Sequence, residues 1–159
     1  MPQVPPLNLP PFNFKIKLEG EILKIYDSLR SKYVAATPEE YVRQHFINYL
    51  VHYLHYPSSH IANEIGIELN GTKKRCDSVV FGEDLSPLVI IEYKAPNVEI
   101  NQHTFEQIAR YNMRLKARYL IVSNGMQHYC CVMDYEADTY NFLPRIPDYS
   151  DLTTPFSIN

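Results

Sequence analysis

The chain has 159 residues, of which 45% are hydrophobic and 21% charged, with a formal net charge of −3. One domain's length with this balance excludes a wholly disordered chain and a coiled-coil rod, and the acidity lacks the basic excess usual in nucleic-acid binders. The purest apolar block, Leu88-Val89-Ile90-Ile91, is far below the ~20 residues of a spanning helix, so no membrane segment is expected.

Five of the twelve prolines fall within Met1–Pro11, which reads as an extended arm without the basic-then-apolar pattern of a signal peptide. Phe14 to Leu18 alternates apolar and charged residues, Glu19-Gly20 is a turn, and Ile22 to Tyr26 pairs back as a small hairpin. Residues 1–36 are therefore expected to form an arm and hairpin. Thr37-Pro38-Glu39-Glu40 starts a helix: Thr37 as N-cap, Pro38 at N1, and Glu40 at N3 to close a capping box. Val42, Phe46, Tyr49, Leu50, Tyr53 and Leu54 recur at helical steps behind it, and Pro57 ends the run.

Ile61, Ile65, Ile67 and Leu69 repeat at even steps as a strand does, and Asn70-Gly71 is a turn signal. Strands follow at Arg75–Phe81 and Leu88–Tyr93. The latter is apolar on both faces and so central. A second helix is expected from Thr104 to Ala117. Tyr119–Ser123 and Met126–Met133 then form strands joined at Asn124-Gly125. Residues 37–134 make the core domain, and 135–159, polar with three prolines, a loosely attached tail. The order of elements predicts an α/β sandwich with a central mixed sheet. Cys76, Cys130 and Cys131 form no even framework and read as reduced thiols of a cytoplasmic protein.

The chemistry gathers at Asp77 and the Glu92-Tyr93-Lys94 triplet. A hairpin centred between Asp84 and Leu85 pairs residues whose numbers sum to 169. Phe81 then faces Leu88, Val79 faces Ile90 and Asp77 faces Glu92, with Lys94 on the same face. Opposed carboxylates repel and need a compensating charge, which a hard cation such as Mg²⁺ or Mn²⁺ provides. Such a site suits phosphodiester hydrolysis, with Lys94 beside the ion to orient the attacking water or stabilise the anionic transition state. A plain ion pair with Lys94 is the alternative. On the second helix Gln107, Arg110, Tyr111, Arg114 and Arg118 fall within one arc and suit phosphate contacts, as does the Lys73-Lys74-Arg75 cluster; an ordinary solvated surface is the bland reading. His45, Asn48, His52 and His55 share one side of the first helix and fit a polar face better than a zinc site.

The ordered set Glu40-x-x-Arg43, Glu64, Arg75-Cys76-Asp77, Ile91-Glu92-Tyr93-Lys94-Ala95-Pro96 and Gln107-x-x-x-Tyr111 resembles the PD-(D/E)XK nuclease superfamily. It is most similar to the N-terminal nuclease domain of type I restriction enzyme R subunits and small stand-alone relatives. The resemblance implies a restriction-endonuclease-like α/β/α fold and Mg²⁺-dependent cleavage of DNA in restriction-modification or repair. It also implies DNA, other restriction subunits or a second copy as partners. Carried over by position, it makes Asp77 and Glu92 metal ligands, Lys94 the catalytic lysine, and Gln107 and Tyr111 the Gln-x-x-x-Tyr motif. Glu40 matches the acidic residue of the first helix, and Glu64 a further acidic ligand or a polar strand residue. Cys76 stands where the superfamily name has Pro, and no ATP-binding phosphate loop is present. A non-catalytic nucleic-acid-binding or assembly module with this fold is the main alternative; a phosphodiesterase acting on RNA or small molecules is a third.

Overall fold

The computed structural model describes residues 6–69 and 71–153. Strands β1 (Ile16–Glu19), β2 (Ile22–Asp27) and β3 (Lys32–Ala35) form an antiparallel three-stranded sheet. The expected hairpin thus has a third strand. Helix α1 (Pro38–Tyr53) follows, then β4 (Ile61–Leu69), β5 (Thr72–Phe81) and β6 (Pro87–Tyr93). Helix α2 (Gln102–Met113), β7 (Tyr119–Ser123), β8 (His128–Asp134), β9 (Thr139–Phe142) and the short α3 (Tyr149–Thr153) complete the order.

Strands β4 to β9 form one six-stranded sheet in chain order. Every neighbouring pair is antiparallel except β6 and β7. A parallel pair needs a long crossover, and α2 with its flanking loops supplies it. The sheet is mixed, as the sequence leads one to expect. Alternation along β6 sends Val89, Ile91 and Tyr93 into the core under α1, with Val42, Phe46 and Leu50. Ile90 joins the opposite core with Phe105, Ile108 and Ala109 of α2. Cys130 and Cys131 divide the same way, and burial pushes the Cys131 thiol up to about 12. Helices on both faces of a central sheet give the α/β/α sandwich.

Three expectations need correction. Helix α2 ends at Met113, not Ala117, because Leu115 and Ala117 drop into the core beside it. The loop before β8 spans 124–127, where Asn124 Oδ1 accepts the N–H groups of Met126 and Gln127. The segment from 135 to 153 is not loose. Strand β9 pairs with β8, Ile146 and Leu152 are buried, and the Tyr56 hydroxyl donates to the Pro147 carbonyl at 2.9 Å. These apolar residues are isolated among prolines and polar residues, so they carry no periodicity to read. The described part of the N-terminal arm is docked as well: Asn8 N–H donates to the Gly125 carbonyl at 2.8 Å. A Cβ at Gly125 would lie 2.8 Å from Leu7 Cδ2. Asn70, the first half of an expected turn, lies outside the described residues; Gly71 has φ +79°.

Candidate active site

The start of α1, the middle of β4 and β5, and the end of β6 enclose a cavity of about 510 Å³. Glu40, Arg43, Glu64, Asp77, Glu92 and Lys94 line it. The β5–β6 register pairs Ser78 with Ile91, Val79 with Ile90 and Val80 with Val89, the expected sum. A bulge then pairs Phe81 with Pro87 and not with Leu88. At the other end the ladder stops one residue short of Asp77 and Glu92. There the Asp77 Oδ2 accepts the Tyr93 N–H at 3.0 Å. Lys94 Nζ lies 3.7 Å from Glu92 Oε1, and its backbone N–H is anchored to the Ser123 carbonyl of β7 at 2.8 Å. Burial pushes the Asp77 carboxyl up, the Tyr93 N–H pulls it down, and the negative charge of Glu92 pushes it up again; it ends above its ordinary value.

Glu40, Glu64 and Asp27 are held differently. Thr37 Oγ1 accepts the Glu40 N–H at 3.1 Å, so the N-cap is as expected. The capping box is not, since the Thr37 N–H goes to the Ala35 carbonyl. The Glu40 carboxylate, 4% exposed, turns inward to Arg43 Nε (2.7 Å) and Nη2 (2.9 Å), to Gln44 Nε2 (3.2 Å) and to Arg30. Two arginines attract it more strongly than a backbone N–H already bonded elsewhere. Arg43 also donates Nη1 to the Asp77 carbonyl at 2.8 Å and pairs through Nη2 with Glu64 Oε1 at 2.9 Å. Arg75 Nε holds the other Glu64 oxygen at 2.8 Å. Glu64 has φ +54°, a backbone region rare for a glutamate within a strand.

Arg30 continues the network to Asp27, which accepts Asn63 Nδ2 at 3.0 Å. Ser78 Oγ donates to Asn63 Oδ1 at 2.6 Å, and the Tyr93 hydroxyl to Ser78 Oγ at 3.0 Å. Burial alone would raise all three acids. Hydrogen bonds, chiefly from Arg30 to Asp27, Arg43 to Glu40, and Arg75 and Arg43 to Glu64, hold them below their ordinary values. Despite its own burial, Arg43 is held above its ordinary value by Glu40 and then Glu64. The sequence assigns no role to Asp27, Arg30, Asn63 or Ser78. The only local signals are the i,i+3 spacings of Asp27 with Arg30 and Glu40 with Arg43.

The donor set bears on a metal. Among the described residues no group of three or more His, Cys, Asp or Glu side chains forms a ligand cluster. Both Glu64 oxygens are taken by guanidinium groups, and Glu40 is enclosed by Arg30 and Arg43. Asp77 and Glu92 remain. Asp77 Oδ1 has no hydrogen bond among the described residues. Two partly buried carboxylates open to a polar cavity fit Mg²⁺ or Mn²⁺, which takes one or two carboxylates and keeps several waters.

Helix α2 does not bring its stripe to this cavity. It packs through Phe105, Ile108, Ala109 and Asn112, which leaves Gln107, Arg110, Tyr111 and Arg114 exposed on the other side. Gln107 and Tyr111 are not among the residues lining the carboxylate cavity. Arg110 and Arg114 line a separate hollow of about 890 Å³ beside β9, together with Lys116, Glu106 and Asp138. Arg118 lies beyond the helix, its guanidinium 5.6 Å over the Tyr119 ring. Lys73 is exposed opposite Glu68; the Lys74 side chain lies outside the described part. The histidines of α1 disperse: His45 meets the Tyr41 carbonyl, His52 stacks on Phe12, and His55 pairs with Asp148.

The family described as type I restriction enzyme R protein N terminus (HSDR_N) matches residues 38–147. Among solved structures, a fragment assigned to an HsdR subunit of a type I restriction enzyme from Vibrio vulnificus YJ016 is similar, with a TM-score of 0.51 at 19% identity. The alignment covers 73% of this chain and 24% of that one, so the chain spans about a quarter of that neighbour's length. No curated protein matches the sequence.

Proposed function

The chain belongs to the family of type I restriction enzyme R protein N termini, and on that premise we propose that it is the divalent-metal-dependent DNA nuclease module of a restriction system. The observation that carries the reading is the shared cavity of Asp77, Glu92 and Lys94, with an Asp77 carboxyl that burial and the charge of Glu92 hold above its ordinary value. When bound there, Mg²⁺ or Mn²⁺ supplies charge neutralisation at phosphoryl oxygens and a more acidic water. Asp77 and Glu92 hold the ion, and the Tyr93 N–H fixes the rotamer of Asp77. Lys94, partly exposed at the same mouth, steadies the negative charge that builds on the phosphate oxygens during attack. Glu40 and Arg43 orient β5 through the Asp77 carbonyl and touch no substrate. Arg110, Tyr111, Arg114, Lys73 and Lys74 contact the DNA backbone away from the reacting phosphate. Gln107 supports that contact surface. Other subunits of the restriction system, in the cytoplasm, are its partners.

Incubation of supercoiled plasmid with the purified chain tests the reading. Nicking or linearisation is expected with Mg²⁺ or Mn²⁺ and not with EDTA, and Asp77→Asn and Lys94→Ala each lower the rate about a hundredfold or more. Metal-independent cleavage, or an Asp77→Asn variant as active as the parent, contradicts it. DNA binding without cleavage, in any metal and with partner subunits added, favours the non-catalytic module.

A further inference from the structure

Further along α1 from the carboxylates lies a second cavity, between that helix and the N-terminal segment. Its volume of about 440 Å³ falls in the ~300–1,000 Å³ range of small-molecule sites. Phe12, Phe14, Tyr26 and His52 supply rings, and Gln44 and Asn48 supply buried amides. The Phe12 and His52 rings are nearly parallel, with centroids 6.0 Å apart and an interplanar angle of 12°. Phe12 is 49% exposed, so part of its ring is left open. Asn48 is only 7% exposed and lines the cavity. Among the described residues its amide makes no hydrogen bond, and its polar atoms are open to the cavity, since no fully buried side-chain N or O there lacks a partner.

An amide open to the cavity offers one carbonyl acceptor and two N–H donors to whatever enters. An aliphatic ligand would leave it unsatisfied. A planar heterocycle with alternating donors and acceptors on its edge satisfies the amide while stacking on the rings. No acidic side chain lines the cavity, and Lys15 does, so an attached phosphate meets no repulsion. We propose that this cavity binds a nucleobase, presented either by a free nucleotide or by an unstacked position of single-stranded DNA. The site is separate from the carboxylate cavity and does not depend on cleavage. The two meet only through α1, where Gln44 lines the base cavity and donates to Glu40 of the other.

Calorimetric titration of the full chain tests this with the four deoxynucleoside monophosphates, a short single-stranded oligonucleotide and ribose 5-phosphate. At least one base-bearing probe should bind at millimolar concentration or below, while ribose 5-phosphate should not. Mononucleotide binding assigns the free nucleotide as source, and binding of the strand alone assigns a base within DNA. Asn48→Leu should weaken the interaction tenfold or more, and so should Phe14→Ala, which alters a partly exposed ring and covers the case in which Asn48→Leu fails to fold. Asp77→Asn should bind as the parent does, which separates this site from the metal reading. The proposal is overturned if no base-bearing probe binds, if ribose 5-phosphate binds as well as the nucleotides, or if Asn48→Leu and Phe14→Ala both bind normally.

Discussion

The carboxylates on either side of Arg43 are the same chemical group in opposite conditions. Asp27, bonded to Arg30, and Glu40 and Glu64, each bonded to two guanidinium groups, are held below their ordinary pKa. Asp77, on the strand beside that of Glu64, is held above it by burial, with Glu92 adding repulsion. The first set has its positive charge built into the chain and works as structure. The second is short of positive charge at an open mouth, the condition in which a cation binds. A carboxylate's role here follows from what surrounds it, not from its residue type.

The largest effect should come from removing the arginine that separates the two sets. Arg43→Ala leaves Glu40 buried beside Arg30 alone and is expected to cost ~3–5 kcal/mol in urea unfolding. Arg75→Ala, which removes an exposed arginine from the same Glu64, should cost at most ~1 kcal/mol. Equal losses would erase the distinction between enclosed and open charge.

That network was the part least legible in the sequence. The β5–β6 register followed from one turn and an apolar ladder, and the N-cap at Thr37 from four consecutive residues. Local rules suffice there. Asn63 and Asp27 are 36 residues apart and meet only once the small sheet docks on the large one. The capping-box pattern was misleading for a physical reason: Glu40 stands at N3, but two arginines outcompete the backbone. Gln107 and Tyr111 matched a motif by spacing, yet the packing of α2 turns them away from the cavity. The tail looked loose because Ile146 and Leu152 are single apolar residues without a period.

Asp77→Asn sharpens the comparison from the open side. In EDTA the variant should be as stable as the parent or more so, since one of two repelling charges is gone. It should also lose the stabilisation that Mn²⁺ gives the parent, about 2.7 kcal/mol at a hundredfold excess over the dissociation constant. Melting curves in EDTA and Mn²⁺ read both. An ordinary ion pair with Lys94 predicts a less stable variant in either buffer.

The pH dependence should have opposite signs in the two sets. Glu40 has a lowered native pKa, so its stabilisation is present above the ordinary carboxylate value and lost as pH falls through the native one. The deficit of Glu40→Gln against the parent should therefore be largest near neutrality and shrink in acid. Asp77 has a raised native pKa, so its contribution is present below the ordinary value and lost as pH rises through the native one. The gain of Asp77→Asn in EDTA should appear as pH rises and vanish in acid. Urea midpoints across the acid range test both, and trends of the same sign would show that the two sets are not electrostatically distinct.

The smallest effects belong to the helix that reaches neither set. Arg110→Ala and Arg114→Ala should change stability by no more than ~0.5 kcal/mol. Each should flatten the log–log salt dependence of DNA binding by roughly 1. Unchanged slopes in both would make the stripe an ordinary solvated face.

The central claim, that Asp77 and Glu92 form a divalent-cation site, is tested most directly by titrating Mn²⁺ into the full chain and following free Mn²⁺ by electron paramagnetic resonance. The parent should take up Mn²⁺ in a saturable step that Mg²⁺ competes away, and that step should be missing from both Asp77→Asn and Glu92→Gln. Saturable uptake unchanged in either variant, or none in the parent at millimolar Mn²⁺, would contradict it.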